Sequence, residues 1–388
     1  MHPLALATGD KNNGAQMRAI IIGAGPAGLA SAATLKQRGV DVTILEKAAN
    51  VGSSWRNHYD RLKLHTSRGR SNLPGLALPD SSGRYPSRDE FVHYLETYCR
   101  HFDLAPRFDT EVQAVTTNPG GGWNVRHAGG VDQSDVVVFA TGLNERPYLP
   151  DWPGLASFPG KVLHASSYHR ADPFQGQRVL VVGFGNSGGD IALDLAEQGG
   201  TVEMAVRGPV NLLPKELFGI PITSFGLLRK ILPYKAADAI TQPIVRLKLG
   251  RTEDYGLVPA GKGPISQIIE DGRIPLIDVG TLGAIKAGKI AIRPAPAEFE
   301  GAACTFVDGS MAVYDTIILA TGYRVDLRSL LPDADGVLDT QGRPIVSGGP
   351  TAQKGLYFCS YVTSANGQIF QMSREAEAIA RHVAQSST

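Results

Sequence analysis

The chain has 388 residues, of which 43% are hydrophobic and 19% are charged, a composition typical of folded globular proteins. Its 38 Lys and Arg residues balance 37 Asp and Glu residues, so the net charge of +1 supplies no general field for a polyanion. These values exclude a largely disordered chain, argue against a nucleic-acid partner, and leave room for two domains.

The cysteine pattern and the N-terminus indicate the compartment. Cys99, Cys304 and Cys359 are odd in number and widely spaced, so we expect neither a disulfide framework nor a bound metal. Reduced thiols are typical of a cytoplasmic protein. Residues 1–17 lack the pattern of a secretion signal and are predicted to form a flexible tail. We expect no membrane span, because no stretch is both long and apolar enough.

Two stretches repeat the order strand, Gly-rich turn, helix, strand. The first follows the strand RAIII at 18–22 and contains Gly23-Ala-Gly25-Pro-Ala-Gly28. The second follows RVLVV at 178–182 and contains Gly183-Phe-Gly185-Asn-Ser-Gly188. In such turns the glycines make the bend, let the backbone approach a pyrophosphate, and let helix and strand pack closely. The repeat predicts an α/β protein with two Rossmann-like dinucleotide-binding domains.

The two repeats differ at the end of their second strand. Glu46 occupies this position in the first repeat, where a carboxylate accepts hydrogen bonds from ribose hydroxyls. Arg207 occupies it in the second, where a guanidinium pairs with a 2′-phosphate. We therefore predict FAD (or NAD) at the first site and NADPH at the second. Lys215 is a second candidate for the same phosphate, and Arg207 as an ordinary solvated residue is the alternative.

Two shorter matched segments, DVVVFATG at 135–142 and DTIILATG at 315–322, predict buried strands that end beside a nucleotide. Pro-rich stretches after the first of these segments indicate a crossover between domains. We predict that the second domain is inserted in the first. The FAD-binding domain then comprises 18–165 and 323–388, and the NADPH-binding domain comprises 166–322 with a helical insert at 211–250.

Two further features leave alternatives open. Trp55 and Arg56 follow the first repeat, where they could contact the flavin and its phosphates or a substrate, or form an ordinary packed pair. The insert at 211–250 is apolar, broken by Pro and rich in Lys and Arg. It suits a solvated helix face, a lid over a substrate tunnel, or a membrane-surface contact.

Residues 158–168 read FPGKVLHASSY, which fits the pattern F-x-G-x-x-x-H-x-x-x-Y through Phe158, Gly160, His164 and Tyr168. Together with the two turns, this segment resembles the identifying sequence of class B flavin-dependent monooxygenases. Without a companion that marks it as a catalytic base, His164 is interpreted as a packed, hydrogen-bonded interdomain residue.

The middle of the chain is similar to the plant YUCCA branch of that family, in the segments SSWRNHYDRLKLHT, VRGPVNLLPKELFGI, GRTEDYGLV and PLIDVGTLGAIKAGKIAI. The resemblance implies bound FAD, NADPH as electron donor, dioxygen as co-substrate, and oxygenation of a small organic substrate by a flavin peroxide. In the YUCCA branch it implies oxidative decarboxylation of an aryl 2-oxo acid, indole-3-pyruvate. It does not set the oligomeric state and leaves a homodimer open.

The chain departs from the family where many members have an Asn beside the flavin, since this stretch reads Leu64-His65-Thr66-Ser67. His65 and Thr66 are therefore the candidate catalytic residues. The candidate cofactor-binding residues are Gly23, Gly25, Pro26, Ala27, Gly28, Glu46, Lys47, Ser54, Trp55, Arg56, Val112, Ala140, Thr141, Gly142 and Gln368 for FAD, and Gly183, Gly185, Asn186, Ser187, Gly188, Arg207, Thr321 and Gly322 for NADPH.

Three other functions remain compatible with the sequence. N-hydroxylation or S-oxygenation of a small amine or sulfide uses the same cofactors. A non-oxygenating NADPH–flavin reductase is a second alternative, although a dithiol enzyme needs a close cysteine pair that the chain lacks. A nucleotide sensor without enzymatic activity is the third.

Overall fold

The computed structural model describes residues 16–230 and 232–386. Almost all of the predicted tail at 1–17 lies outside the described residues. The strands are β1 (Arg18–Ile22), β2 (Asp41–Leu45), β3 (Val112–Thr117), β4 (Trp123–His127), β5 (Gly130–Ser134), β6 (Val136–Phe139), β7 (Arg146–Pro147), β8 (Lys161–His164), β9 (Arg178–Val182), β10 (Thr201–Ala205), β11 (Leu212–Pro214), β12 (Glu216–Leu217), β13 (Ile220–Pro221), β14 (Leu276–Asp278), β15 (Ile290–Arg293), β16 (Pro296–Glu300), β17 (Ala303–Phe306), β18 (Met311–Val313), β19 (Thr316–Leu319), β20 (Tyr323–Arg324) and β21 (Leu356–Phe358). The helices are α1 (Pro26–Lys36), α2 (Ser53–Arg56), α3 (Arg88–His101), α4 (Asn186–Glu197), α5 (Tyr234–Leu249), α6 (Pro264–Asp271), α7 (Thr281–Lys286) and α8 (Gln368–Gln385).

The first sheet is parallel and has the strand order β2-β1-β6-β21. Its central strands are buried on both faces, which explains their continuous runs of β-branched residues. Helices α1, α3 and α8 supply the core on one face, and α1 packs along α8. The antiparallel sheet β3-β4-β5 and residues 325–338 cover the other face.

The second sheet is also parallel, with the order β15-β10-β9-β19-β8. Strand β9, which precedes the Gly-rich turn, lies between β10 and β19. In the first sheet β1 likewise lies between β2 and β6, and both β6 and β19 lead into Ala-Thr-Gly. An antiparallel three-stranded sheet, β16-β17-β18, precedes that last strand here too. The fold is therefore α/β, with the same local arrangement present twice.

The domain boundary differs from the sequence-based division. Strand β8 pairs with β19 and extends the second sheet, whereas the division at 165/166 placed it in the first domain. A strand of four residues carries little local signal about its partner, which here lies more than 150 residues later.

The insert at 211–250 is only partly helical, contrary to expectation. Its first part forms β11 and the β12–β13 hairpin, whose turn places Phe218 and Gly219 at positive φ angles of 51° and 74°. A 3-10 helix over Ile222–Lys230 and then α5 follow. Pro214 and Pro221 lie at strand ends, since proline cannot donate a backbone hydrogen bond. Among the described residues, none of the helices combines the length and the apolar character needed to cross a bilayer.

Candidate active site

Both Gly-rich turns open into one connected cavity of about 2760 Å³. Its walls come from the carboxyl ends of the strands in both parallel sheets and from the insert. Ligands of open α/β sheets bind at this edge, beyond the carboxyl ends of the strands. One cavity thus has room for two elongated ligands that meet between the sheets.

The first turn is shaped by close backbone contacts. A Cβ at Gly23, where φ is 106°, would lie 2.8 Å from the carbonyl oxygen of Ala140. A Cβ at Gly28 would lie 1.8 Å from the Gly23 carbonyl oxygen. At Gly25 an added Cβ would meet no protein atom within 4 Å, and this residue lines the cavity. The bend and the helix packing therefore require two glycines, and the third leaves room for a ligand at the start of α1.

The second turn repeats this geometry. A Cβ at Gly183 would lie 2.4 Å from the Ala320 carbonyl oxygen, and one at Gly188 would lie 2.2 Å from the Gly183 carbonyl oxygen. Gly185 is again open to the cavity. In both Ala-Thr-Gly segments the alanine carbonyl packs directly against the first glycine of the neighbouring turn. This shared contact accounts for the presence of the segment in both units.

The side chains that end the second strands have different environments. Glu46 is 5% exposed, and its carboxylate accepts hydrogen bonds from the backbone N–H groups of Ala24 at 2.6 Å and Ala48 at 2.9 Å. Arg207 is exposed and lines the cavity, and its guanidinium has no hydrogen-bond or ion-pair partner among the described residues. A fixed carboxylate suits ribose hydroxyls, whereas a free guanidinium suits a phosphate.

Lys215, the second candidate for the 2′-phosphate, does not line the cavity. Its ammonium lies 4.0 Å from the centroid of the Tyr85 ring, a cation–π contact. Burial lowers its pKa, although the Asp190 carboxylate favours its charged form. The structure therefore contradicts a direct role for Lys215 at this phosphate and leaves Arg207 as the candidate.

Arg56 is also placed away from the cavity. Its guanidinium forms an ion pair with Glu96 of α3, and Nε donates a hydrogen bond to the Val51 carbonyl at 3.0 Å. Contact between Arg56 and the flavin phosphates is therefore contradicted, and the packed interpretation holds. Trp55 does line the cavity, with its ring 4.5 Å from that of Phe91 between the two main cores.

His65 and Thr66 lie together in the cavity wall between the two units. The hydroxyl of Thr66 is 2.7 Å from that of Ser71. Neither ring nitrogen of His65 has a hydrogen-bond partner among the described residues, although its side chain is only 17% exposed. Buried polar atoms are nearly always hydrogen-bonded, so these nitrogens mark a place for a ligand.

Sequence reasoning missed the residue that faces His65. Asp190, on α4 of the second unit, is 3.7 Å from His65 Nε2 and accepts a 2.7 Å hydrogen bond from the Tyr59 hydroxyl. Burial lowers the pKa of His65 and raises that of Asp190, so both groups are held towards their neutral forms. The contact joins segments 125 positions apart, a relation that no local pattern contains.

The C-terminal helix completes the cavity near these residues. It begins at Gln368, with Gly367 as its N-cap. Gln368 donates hydrogen bonds through Nε2 to the Ser360 hydroxyl and the Val362 carbonyl, whereas its buried Oε1 has no partner among the described residues. Thr141 is 2.7 Å from the hydroxyl of Tyr361. An unpaired acceptor at a helix start fits the polar edge of a flavin.

His164 is packed and hydrogen-bonded, as expected, although its partners do not lie in the first unit. It is 7% exposed, with Nε2 at 3.1 Å from the Gly322 carbonyl oxygen and Nδ1 accepting a hydrogen bond from the backbone N–H of Ser166. Tyr168 of the same segment donates a 2.6 Å hydrogen bond to Asp194. Both contacts join the end of β8 and the segment after it to other parts of the second unit.

Most of the predicted site residues are brought together in the cavity wall. Those that line it are His65, Thr66, Gly23, Gly25, Pro26, Ala27, Glu46, Lys47, Ser54, Trp55, Val112, Ala140, Thr141, Gly142, Gln368, Gly183, Gly185, Asn186, Ser187, Arg207, Thr321 and Gly322. The other three, Gly28, Gly188 and Arg56, serve packing as described above.

Comparison with known proteins agrees with this geometry. A family model described as pyridine nucleotide-disulphide oxidoreductase matches residues 20–214. The indole-3-pyruvate monooxygenase YUCCA1 of Oryza sativa subsp. japonica is 42% identical over 330 residues, which cover 84% of this chain and 81% of that protein. The probable indole-3-pyruvate monooxygenase YUCCA3 of Arabidopsis thaliana is 37% identical, covering 94% of this chain and 86% of its own length.

The chain belongs to the YUCCA-like class B flavin monooxygenases. A mutant flavin monooxygenase from Stenotrophomonas maltophilia shares the fold, with a TM-score of 0.73, 25% identity, and coverage of 96% of this chain and 99% of that one. The protein is accordingly an oxidoreductase with FAD and NADPH as cofactors. The open glycines, the fixed carboxylate of Glu46 and the unpaired Gln368 acceptor fit these groups.

Proposed function

We propose that this YUCCA-like flavin monooxygenase oxygenates an aryl 2-oxo acid, with indole-3-pyruvate as the leading candidate. The 2-oxo acid, dioxygen, NADPH and a proton would yield the shorter carboxylic acid, carbon dioxide, NADP+ and water. The observation that carries the proposal is one cavity that receives both Gly-rich turns, with a fixed carboxylate after the second strand of the first repeat and a free guanidinium after the second strand of the other. The names of the relatives support the choice of substrate class.

The proposal divides the cavity between two nucleotides. FAD would lie along the first turn, with its ribose at Glu46 and the ring end near Gln368. NADPH would lie along the second turn, with its 2′-phosphate at Arg207. The first sheet with its covering helices then forms the FAD-binding unit, and the second sheet forms an inserted NADPH-binding unit. Three isolated, buried thiols support a cytoplasmic location.

Bound FAD, reduced by NADPH, supplies the activation of dioxygen and the transfer of one oxygen atom. The protein has three tasks around that chemistry. Gln368 Oε1 would accept a hydrogen bond from the ring system and orient it. His65, held neutral beside Asp190, would accept or return a proton at a ring nitrogen. The apolar walls from the insert would exclude water from the reacting centre.

Substrate-dependent oxidation of NADPH tests this function. We expect indole-3-pyruvate to accelerate NADPH oxidation and to yield indole-3-acetate in a 1:1 ratio with NADPH consumed. Indole-3-lactate is a matched control, since it keeps the ring and carboxylate but lacks the 2-oxo group, and it should have no effect. Acceleration by small amines or sulfides, with none by aryl 2-oxo acids, would refute the proposal in favour of N-hydroxylation or S-oxygenation. Reduction of FAD without dioxygen uptake under all conditions would indicate a reductase.

A further inference from the structure

Another unpaired polar group lies in the cavity wall, on the 3-10 helix at Ile222–Lys230. Thr223 is 7% exposed and lines the cavity, and its hydroxyl has no hydrogen-bond partner among the described residues. Buried hydroxyls are nearly always paired, so an unpaired one in a cavity wall indicates that a ligand supplies the partner.

Thr241 of α5 provides a paired threonine for comparison. It is also buried, at 6% exposed, and it lines the same cavity. Its hydroxyl, however, donates a 2.8 Å hydrogen bond to the Ala237 carbonyl within its own helix. Two similar threonines thus share one cavity, and the local backbone satisfies one of them but not the other.

The elements packed around the 3-10 helix line the cavity with apolar side chains. Helix α5 packs against both the 3-10 helix and α6, and these three elements contribute aliphatic and aromatic side chains to the cavity. The apolar residues in question are Ile222, Phe225, Val245, Ile265 and Ile268. Such a wall suits a flat aromatic group that presents one polar atom.

This part of the cavity adjoins the expected position of the flavin ring. A Cβ at Gly226 would lie 2.5 Å from Oδ1 of Asn366 and 2.9 Å from the Ala365 carbonyl oxygen, so the 3-10 helix packs directly on that loop. The loop leads into Gly367 and the start of α8. Thr363 of the same loop donates a 3.0 Å hydrogen bond to the Gly272 carbonyl just after α6.

We propose that Thr223 is a specificity-determining residue whose hydroxyl oxygen accepts a hydrogen bond from the ring N–H of a bicyclic heteroaryl substrate. This inference rests on the proposed function and narrows it from aryl 2-oxo acids in general to those with a ring N–H. An indole N–H is a donor without acceptor capacity, and a hydroxyl oxygen is the acceptor it needs. A phenyl ring would fill the apolar wall but would leave Thr223 unpaired, which disfavours its binding.

The kinetic test compares indole-3-pyruvate with phenylpyruvate in four forms of the FAD-loaded protein. Thr223→Val removes the hydroxyl and keeps the shape, Thr223→Ser keeps a hydroxyl, and Thr241→Val is the matched control. We expect Thr223→Val to reduce kcat/KM for indole-3-pyruvate by about tenfold relative to phenylpyruvate. The ratio should remain within about twofold of wild type in Thr223→Ser and Thr241→Val. An unchanged ratio in Thr223→Val would overturn the inference.

A binding measurement separates this inference from the proposed function. Calorimetric titration of the FAD-loaded protein with indole-3-acetate and benzofuran-3-acetate compares two ligands that differ only in N–H against O. Wild type should prefer the indole by about tenfold, and Thr223→Val should bind both equally. Equal affinities in wild type would refute the role of Thr223. A preserved preference in a protein that does not consume aryl 2-oxo acids would refute the reaction and keep the subsite.

Discussion

Replacement of Arg207 by Ala should change the coenzyme preference and leave the fold intact. The guanidinium is exposed and has no partner among the described residues, so its removal breaks no internal contact. A charge-assisted hydrogen bond contributes about 1.5–3 kcal/mol. Because the site is open to solvent, we take the lower half of this range, about 1.5–2.25 kcal/mol, which corresponds to about a 12- to 40-fold loss of affinity for NADPH.

Steady-state kinetics with NADPH and NADH give the direct assay. We expect Arg207→Ala to raise KM for NADPH by that factor and KM for NADH by less than about twofold, since NADH lacks the 2′-phosphate. Lys215→Met is the matched control, because the Lys215 ammonium lies over the Tyr85 ring and does not line the cavity. Equal effects of Arg207→Ala on both coenzymes, or a changed preference in Lys215→Met, would refute the assignment.

Two further predictions concern the first turn and His65. Gly28→Ala places a Cβ 1.8 Å from the Gly23 carbonyl oxygen and should destabilise the protein by about 3 kcal/mol or more. Gly25→Ala should keep the thermal stability but weaken FAD binding by about tenfold. Equal unfolding temperatures and equal FAD affinities of the two variants, measured by thermal unfolding and FAD titration, would contradict this reasoning. Burial lowers the pKa of His65 below its ordinary 6.5, so the unfolded chain binds more protons than the folded one in the window just below pH 6.5. The free energy of unfolding should therefore fall as pH decreases through that window, and His65→Gln should show a shallower fall in urea unfolding; identical slopes would contradict this.

The parts of the site that sequence patterns predicted are those set by neighbours along the chain. The two turns, Glu46 and Arg207 each belong to a strand–turn–helix–strand unit of about 30 residues, so spacing alone places them at the edge of a sheet. The family resemblance, and not spacing, indicated His65 and Thr66, and both line the cavity.

The parts that sequence patterns did not predict depend on distant contacts. The partner of Arg56 is Glu96 on a different helix, and the partner of Tyr59 is Asp190 in the other unit. Strand β8 has a partner across the whole second unit. In each case the tertiary fold brings together two side chains or two strands that are distant in sequence. The residues around either partner do not indicate whether it will form this contact or remain exposed to solvent.

The oxygen balance of the reaction tests the central proposal most directly. Turnover of indole-3-pyruvate under ¹⁸O₂ with NADPH should yield indole-3-acetate that carries one new ¹⁸O atom in its carboxylate, with one carbon dioxide released per NADPH oxidised. Unlabelled indole-3-acetate, or NADPH oxidation that yields only hydrogen peroxide, would contradict oxygen transfer to a 2-oxo acid in this cavity.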